Sequence, residues 1–140
     1  LDGRFMLYYK GFNSEKFTTR KIGLATSDSP IGPFHRHPCN PIIDLAPETG
    51  CEVPTVFCHH GTLGMLLLTF TPRRCMLLTS EEGVRWTVRQ DPFGPRTGHK
   101  YMDVGLVKDI DNNLLPYYFQ MLRTEPMSIT GYNLEISNIC

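Results

Sequence analysis

The sequence lacks an excess of charge of either sign. Lys and Arg together number 14, as do Asp and Glu, so the formal net charge is zero when the histidines are neutral. No basic cluster stands out, and because nucleic acids are bound through such clusters, we predict no nucleic-acid partner. No apolar run approaches the length of a transmembrane helix, so we predict no membrane partner either.

The sequence also lacks the paired cysteine spacing of zinc and redox motifs. Its cysteines are odd in number and form no Cys-x-x-Cys pair, so we interpret them chiefly as small buried thiols. They are Cys39, Cys51, Cys58, Cys75 and Cys140. The adjacent His59 and His60 fall in a predicted turn, which favours solvent exposure over metal binding. We therefore predict no metal and no cofactor, and leave open a cysteine nucleophile such as Cys51 paired with His99.

A sustained helical period is absent as well. The 12 glycines, 11 prolines and 14 Tyr and Phe residues (6 and 8) instead indicate many short strands and turns. In the clearest such stretch, residues 21–34, the apolar run Ile22–Thr26 ends in a Ser-Asp-Ser-Pro turn, and a second turn leads to Phe34. Residues 76–86 are a weaker copy that ends in Trp86. We interpret the two as an internal repeat and class the chain as all-β.

Three strand-rich units follow one another along the chain. They lie near residues 1–43, 52–90 and 103–140. Their turns recur about every 50 residues, which is the period of a four-stranded propeller blade. These turns are Asp2-Gly3, His60-Gly61 and Asn112-Asn113. Because the first unit lacks a leading strand and the last an outer one, we predict one partial β-propeller domain over residues 1–140, with about two and a half blades.

Two segments of the first unit resemble a known family. Residues 2–9, DGRFMLYY, and 22–34, IGLATSDSPIGPF, resemble the second blade of the five-bladed β-propeller glycoside hydrolases of families 43 and 32. The likeness is residue-specific over about the first 43 positions and beyond them is one of blade pattern. Residues 80–86, SEEGVRW, resemble the S-x-D-G-x-x-W turn of family 32 and the Asp-box of sialidases. This resemblance implies a partial five-bladed propeller, a glycoside hydrolase-like module that acts on or binds carbohydrate.

The same resemblance implies a chemistry of two carboxylates. Glu52, in GCEVPTVF, resembles the general acid of the family 32 type, and Asp103, in YMDVG, occupies the equivalent position one blade later. Glycosidic cleavage needs a protonated carboxyl at the leaving oxygen and an ionised one at the anomeric carbon or at water. The family's first-blade Asp, and the Asp that tunes the acid, have no counterpart in this sequence. A structural role at a turn or strand start is the alternative for both residues.

Aromatic side chains are the candidates for stacking on sugar rings. These are Tyr8, Trp86 and Tyr117, and core packing is the alternative for each. Arg73 and Arg74 suit either an exposed hairpin tip or a clamp for a sugar acid. The main rival to a glycosidase is a non-catalytic half-propeller that serves binding or assembly, and a Cys-dependent enzyme is a third hypothesis.

Incomplete blades predict an assembly. Partial blades at both ends of such a fold leave more apolar surface in water than soluble monomers usually show. Two copies of two and a half blades sum to the five of a closed ring. We therefore predict a homodimer that completes the propeller by adding strands of one chain to the other. Since the sequence opens on Leu1 rather than Met, we expect that a preceding segment is missing. We therefore make no prediction of the cellular compartment.

Overall fold

Strands make up the regular structure of the described chain. The computed structural model describes residues 3–12, 19–46, 49–71, 73–90, 101–111, 114–122 and 128–133, with side chains in 3–12, 19–46, 49–71, 74–89 and 109–111. The strands are β1 (Phe5–Phe12), β2 (Arg20–Ser27), β3 (His35–Arg36), β4 (Cys51–His59), β5 (Thr62–Phe70), β6 (Arg73–Ser80), β7 (Thr87–Gln90), β8 (Tyr101–Lys108), β9 (Leu114–Leu122) and β10 (Ser128–Asn133). These ranges contain no helix, and so none that is long and apolar enough to cross a membrane. The predicted all-β class is confirmed.

The strands form three antiparallel sheets. The first has the order β1-β2-β3, the second β4-β5-β6-β7 and the third β8-β9-β10. Strand β4 packs against β1 and β2 on one side and β8 on the other, so the second sheet lies between its neighbours. Ten strands amount to two and a half sets of four, which is the content expected of two and a half propeller blades.

The outer strand of the first sheet is β3, which pairs with β2. Ile43 forms only an isolated bridge with Ile22. The Asn40 side chain holds the connecting segment: it accepts a hydrogen bond from the Leu24 N–H (2.8 Å) and donates one to the Leu24 carbonyl (2.7 Å). A side-chain amide thus satisfies backbone groups of β2 that a further strand would otherwise bind.

Strand β5 is the centre of the core. Every residue from Leu63 to Thr69 is buried, as the nearly continuous apolar run predicts for a strand covered on both faces. Met65 and Leu67 share one face of β5 because side chains alternate along a strand. They belong to a buried cluster composed of Ile22, Ile43, Cys51, Met65, Leu67 and Leu78. This cluster joins the first sheet to the second.

Each sheet pairs an aromatic residue with a glycine on the neighbouring strand. The pairs are Tyr9–Gly23 in the first sheet, Phe57–Gly64 in the second and Gly105–Phe119 in the third. A Cβ on Gly23 would lie 2.5 Å from the Tyr9 ring, and a Cβ on Gly64 would overlap the Phe57 ring. In these two sheets, the ring therefore lies against the partner backbone, a contact that any side chain would block.

The second sheet has two ends that we name by their residues. The start of β4, the end of β5 and the start of β6 form the Glu52 end. The turns that follow β4 and β6 form the Gly83 end. Antiparallel pairing sets Glu52 opposite Leu68 and Leu68 opposite Cys75. The β6 segment from Cys75 to Ser80 spans roughly 17 Å, so the two ends are well separated.

Candidate functional site

Glu52 is the second residue of β4, the strand between the first and third sheets. Strand β4 has a sheet partner on one edge only, and its packing against β1, β2 and β8 makes it the innermost strand of its sheet. Inner strands line the axis of a propeller, where ligand sites of such folds are built. Glu52 therefore lies at the start of an inner strand.

The backbone beside Glu52 is strained. Val53 has a φ of 55°, in the left-handed region that a β-branched residue rarely adopts. The pairing of β4 with β5 shifts register between Glu52 and Thr55, which is a β-bulge. Bulges and unfavourable φ values occur preferentially next to active sites, where they aim a side chain. This local geometry singles out Glu52 among the carboxylates whose side chains are described.

Asp103 lies in a similar backbone setting. It is the third residue of β8 and pairs with Met121, and the pairing shifts register between Tyr101 and Asp103. Both candidate carboxylates therefore lie near the start of an inner strand and next to an irregularity. The side chain of Asp103 falls outside the described residues.

Two cations contact the Glu52 carboxylate. The Lys10 Nζ lies 3.0 Å from Glu52 Oε2, and the Arg20 Nε lies 3.8 Å from the same oxygen. The Arg20 guanidinium lies over the Phe70 ring, 4.1 Å from its centroid, and 5.9 Å from that of Phe12. The rings hold the guanidinium in place beside the carboxylate, a stabilising cation–π arrangement.

Sequence reasoning missed these two cations. Lys10 and Arg20 flank the hairpin connection between β1 and β2, and the pairing of Lys10 with Ile22 and of Phe12 with Arg20 brings them to one end of the first sheet. Basic residues on both sides of a predicted hairpin loop are the signal that would have located them. That signal does not identify the partner, because Glu52 lies 42 residues from Lys10 in the chain.

The structure argues against Cys51 as a nucleophile. Burial, followed by the nearby charges of Asp44 and Glu52, raises the pKa of the Cys51 thiol to about 11. The thiol donates a hydrogen bond to the Arg20 carbonyl at 3.6 Å. A thiol that stays protonated reacts poorly, because the thiolate is the nucleophile. The proposed partner, His99, lies outside the described residues.

The other cysteines and the histidines form no further centre in the described ranges. Cys75 is buried like Cys51, whereas Cys39 and Cys58 are exposed, so burial was predicted correctly for two of these four. The rings of His59 and His60 are 4.1 Å apart, and desolvation together with His60 lowers the pKa of His59. No group of three potential metal ligands occurs among the described residues.

Tyr8 and Trp86 meet at the Gly83 end. The Tyr8 hydroxyl donates a hydrogen bond to the Gly83 carbonyl at 2.9 Å, and the Trp86 Nε1–H donates to the same oxygen at 3.1 Å. Their rings pack edge to face, with centroids 5.8 Å apart. Burial and then the charge of Glu82 raise the pKa of Tyr8 to about 12. The structure thus brings these two residues together, but away from Glu52.

The remaining residues that were considered for sugar binding are described only in part. Tyr117 lies on β9 opposite Asn133, and its side chain falls outside the described residues. Arg73 and Arg74 begin β6, at the Glu52 end, and pair with Phe70 and Thr69.

The segment that resembles an Asp-box is a self-contained turn. The Gly83 N–H donates to the Ser80 hydroxyl oxygen at 2.8 Å, and the Arg85 N–H donates to Glu82 Oε1 at 2.9 Å. The latter bond is the main cause that lowers the pKa of Glu82. The carboxylate of this turn is therefore a backbone cap, which is a structural role.

Comparison with known proteins places the fold. No family model and no curated protein matches the sequence. Solved structures do match. A family 32 β-fructofuranosidase from Bombyx mori aligns over 98% of this chain and 33% of its own, with a TM-score of 0.73 and 14% identity. A mutant of that enzyme in complex with sucrose aligns with the same score and identity, over 99% of this chain and 33% of its own.

Two bacterial structures are also similar. A glycosyl hydrolase from Bacteroides ovatus aligns over 96% of this chain and 44% of its own, with a TM-score of 0.67 and 16% identity. A family 117 glycoside hydrolase from Zobellia galactanivorans aligns over 79% of this chain and 35% of its own, with a TM-score of 0.52 and 24% identity. The chain thus spans between a third and a half of these proteins.

These similarities define the class of fold. The matched proteins are glycoside hydrolases with propeller-type folds, and nearly the whole of this chain superposes on the silkworm enzyme. The prediction of a partial five-bladed β-propeller is confirmed. At these identities the likeness establishes the fold, while function has to be argued from the site.

Proposed function

We propose that the chain is a glycoside hydrolase-like propeller module of the family 43 and 32 type, with Glu52 as the general acid. The observation that carries this proposal is the setting of Glu52. It lies at the start of an innermost strand, directly before the strained Val53 and within a β-bulge. Its side chain is 17% exposed, so the carboxylate is sheltered but reachable.

The proposed reaction needs Glu52 to carry a proton on one oxygen. Both cations contact Oε2, and within the described residues Oε1 makes no hydrogen bond. Oε1 is therefore the atom that would donate the proton to the leaving oxygen. We assign the second carboxylate to Asp103, which would act at the anomeric carbon or on water. Support for this role comes from the equivalent backbone position of Asp103 on β8.

Substitution of Glu52 tests the assignment. Assays of the full chain on aryl arabinoside, xyloside and fructoside substrates are expected to show hydrolysis. Glu52→Gln keeps the shape of the side chain but has no acidic proton, so it should lower kcat by about 100-fold or more. Glu82→Gln is the matched control, because its carboxylate caps a turn at the other end of the sheet. Activity that survives in Glu52→Gln would refute the assignment.

Sugar contacts are a separate part of this proposal. Tyr8, Trp86 and Tyr117 stay our predicted stacking residues, with carbohydrate as the ligand. Tyr8 and Trp86 lie at the Gly83 end, so a sugar stacked on them would occupy a site apart from Glu52.

The second candidate function is that of a non-catalytic module for binding or assembly. In this case we expect the chain to form a homodimer. Among the described strands β1 pairs with β2 alone, and Phe5 and Leu7 on it are 43% and 46% exposed. An unpaired strand with exposed apolar side chains is a site for strand addition. Sedimentation of the full chain tests this: we expect a dimer that Leu7→Glu dissociates, and a stable monomer at micromolar concentration would overturn it.

A further inference from the structure

Solvent reaches the cations of the Glu52 end more easily than the carboxylate. The side chains of Lys10 and Arg20 are 40% and 36% exposed, whereas that of Glu52 is 17% exposed. Two cations, Lys10 and Arg20, face the single carboxyl group of Glu52 here, while nearby Asp44 is paired with Lys21. A ligand that approaches from solvent therefore encounters a net positive surface before it reaches Glu52.

The guanidinium of Arg20 retains hydrogen-bonding capacity. Its Nε has no hydrogen-bond partner in the described structure, because Glu52 Oε2 at 3.8 Å is too distant. Since this Nε is buried while the side chain is 36% exposed, an anion from solvent would reach the terminal amino groups of the guanidinium. A guanidinium carries five N–H donors in a planar fork that matches a carboxylate or a sulfate. Since Phe12 and Phe70 fix the position of this fork, little side-chain freedom is lost when an anion binds.

Neighbouring cations on the same sheet are engaged elsewhere. Lys21 forms an ion pair with Asp44. Arg36 donates a hydrogen bond from Nε to the Tyr9 hydroxyl at 3.2 Å. Among the described residues, neither contacts Glu52. They provide matched controls, since substitution of each removes one positive charge from the first sheet and keeps both cations that contact Glu52.

We propose that the Glu52 end takes a glycan that carries an acidic group, bound by Lys10 and Arg20 beside the general acid. The acidic group is the carboxylate of a uronic acid or a sulfate ester, both of which a guanidinium fork and an ammonium group bind. This inference rests on the proposed function, because it places the acidic sugar next to the bond that Glu52 would protonate.

Calorimetric titration tests the inference without requiring turnover. The probes are a galacturonic acid trimer, a sulfated galactose trimer and the neutral galactose trimer, each titrated into the full chain. We expect the acidic trimers to bind at least about tenfold more tightly than the neutral one, as one charge-assisted hydrogen bond implies. Comparison of the two acidic trimers shows which anion is the ligand. Equal affinity for acidic and neutral trimers, or no binding at all, would overturn the inference.

Variants locate the binding site. Lys10→Met and Arg20→Gln should each weaken binding of the acidic trimers by about tenfold and leave the neutral trimer unaffected. Lys21→Met and Arg36→Gln should change neither. Arg20→Lys keeps the charge but not the fork, and is expected to recover part of the affinity. Equal losses for acidic and neutral trimers would show that the cations only position Glu52, which refutes the proposal.

The two proposals fail in different ways. If neutral and acidic trimers bind alike while Glu52→Gln abolishes hydrolysis, the inference about acidic glycans is wrong and the catalytic proposal stands. If the acidic trimers bind through Lys10 and Arg20 but no glycoside is hydrolysed, the catalytic proposal fails and the site is one for binding alone.

Discussion

The two ends of the second sheet each carry a glutamate, and the two carboxylates are held by different kinds of group. At the Gly83 end, Glu82 accepts a hydrogen bond from the backbone N–H of Arg85. At the Glu52 end, the partners of the Glu52 carboxylate within the described chain are the side chains of Lys10 and Arg20. One carboxylate is fixed by its own turn, and the other depends on a neighbouring sheet.

The surroundings of the two glutamates differ in the same way. The Gly83 carbonyl accepts hydrogen bonds from both Tyr8 and Trp86, so the polar groups of that turn are used internally. At the Glu52 end, the β-branched Val53 has a positive φ, and a buried Arg20 Nε has no hydrogen-bond partner in the described residues. The Gly83 end also has a non-glycine residue with a positive φ, His60, which lies in a turn. Complete internal bonding stabilises a fold, whereas open donors and strain are typical of binding sites. The turn of the Gly83 end is thus held by its own hydrogen bonds, and the Glu52 end is where we propose the general acid.

The largest effect on stability is expected from Gly83→Ala, which would disrupt the Gly83 end. Gly83 has a φ of 82°, and an added Cβ would overlap the Tyr8 hydroxyl. Backbone strain and the displaced hydrogen bond together should lower the free energy of unfolding by about 3 kcal/mol, measured by urea denaturation. Gly61→Ala is the control, because Gly61 has a φ of 83° with nothing within 4 Å, and should cost about 1 kcal/mol. Equal losses would show that the Tyr8 contact contributes nothing.

An intermediate effect is expected at Tyr8 itself. Tyr8→Phe removes the hydrogen bond to Gly83 and should lower the free energy of unfolding by about 1 kcal/mol. The pKa of Tyr8 is raised from 10.0 to about 12, so the folded state favours the neutral phenol. The contribution of the Tyr8 hydroxyl to the free energy of unfolding is fully present below pH 10.0. It should be lost between pH 10.0 and about 12, because Tyr8 ionises at a lower pH in the unfolded chain than in the folded one. If the free energies of unfolding of wild type and Tyr8→Phe changed with pH in the same way over this range, the raised pKa of Tyr8 would be contradicted.

The smallest effect compares the two glutamates directly. The pKa of Glu82 is lowered from 4.5, so its ionised form stabilises the fold above pH 4.5 and that contribution falls away as the pH drops further. Glu82→Gln should therefore flatten the acid side of the stability profile. Glu52→Gln should change the free energy of unfolding at neutral pH by less than about 1 kcal/mol, because Lys10 is exposed and Arg20 is partly exposed and 3.8 Å away. A larger loss in Glu52→Gln would assign the Glu52 end a structural role.

The sequence predicted the positions of the strands better than the contacts between residues of different sheets. The apolar run of β5 and the turn at His60 and Gly61 follow from local composition, and both occur in the structure. Glu52 was located by a short motif at the start of its strand. Lys10 and Arg20 could not be assigned to it, because their proximity depends on how the first sheet packs against the second.

The aromatic residues show a second limit of the sequence. Alternation along β1 predicts which face of the strand Tyr8 occupies, but not which end of the neighbouring sheet its hydroxyl reaches. The structure pairs Tyr8 with Gly83, a residue 75 positions away. Local patterns contain no information about such a contact, which arises only when two complete sheets pack together.

The aromatic and glycine pairs of the three sheets also bear on how the chain folds. Similar strands in repeated units can associate with the wrong neighbour during folding, which is a common fault of repeat proteins. The Tyr9 ring needs a strand that offers a glycine at one particular position, and Gly23 provides it. In the second sheet, likewise, the ring is on the earlier strand, β4, and the glycine is on the next one, β5. A pairing slipped by one residue would bring the ring against a side chain, so each pair helps to discriminate against misaligned strands.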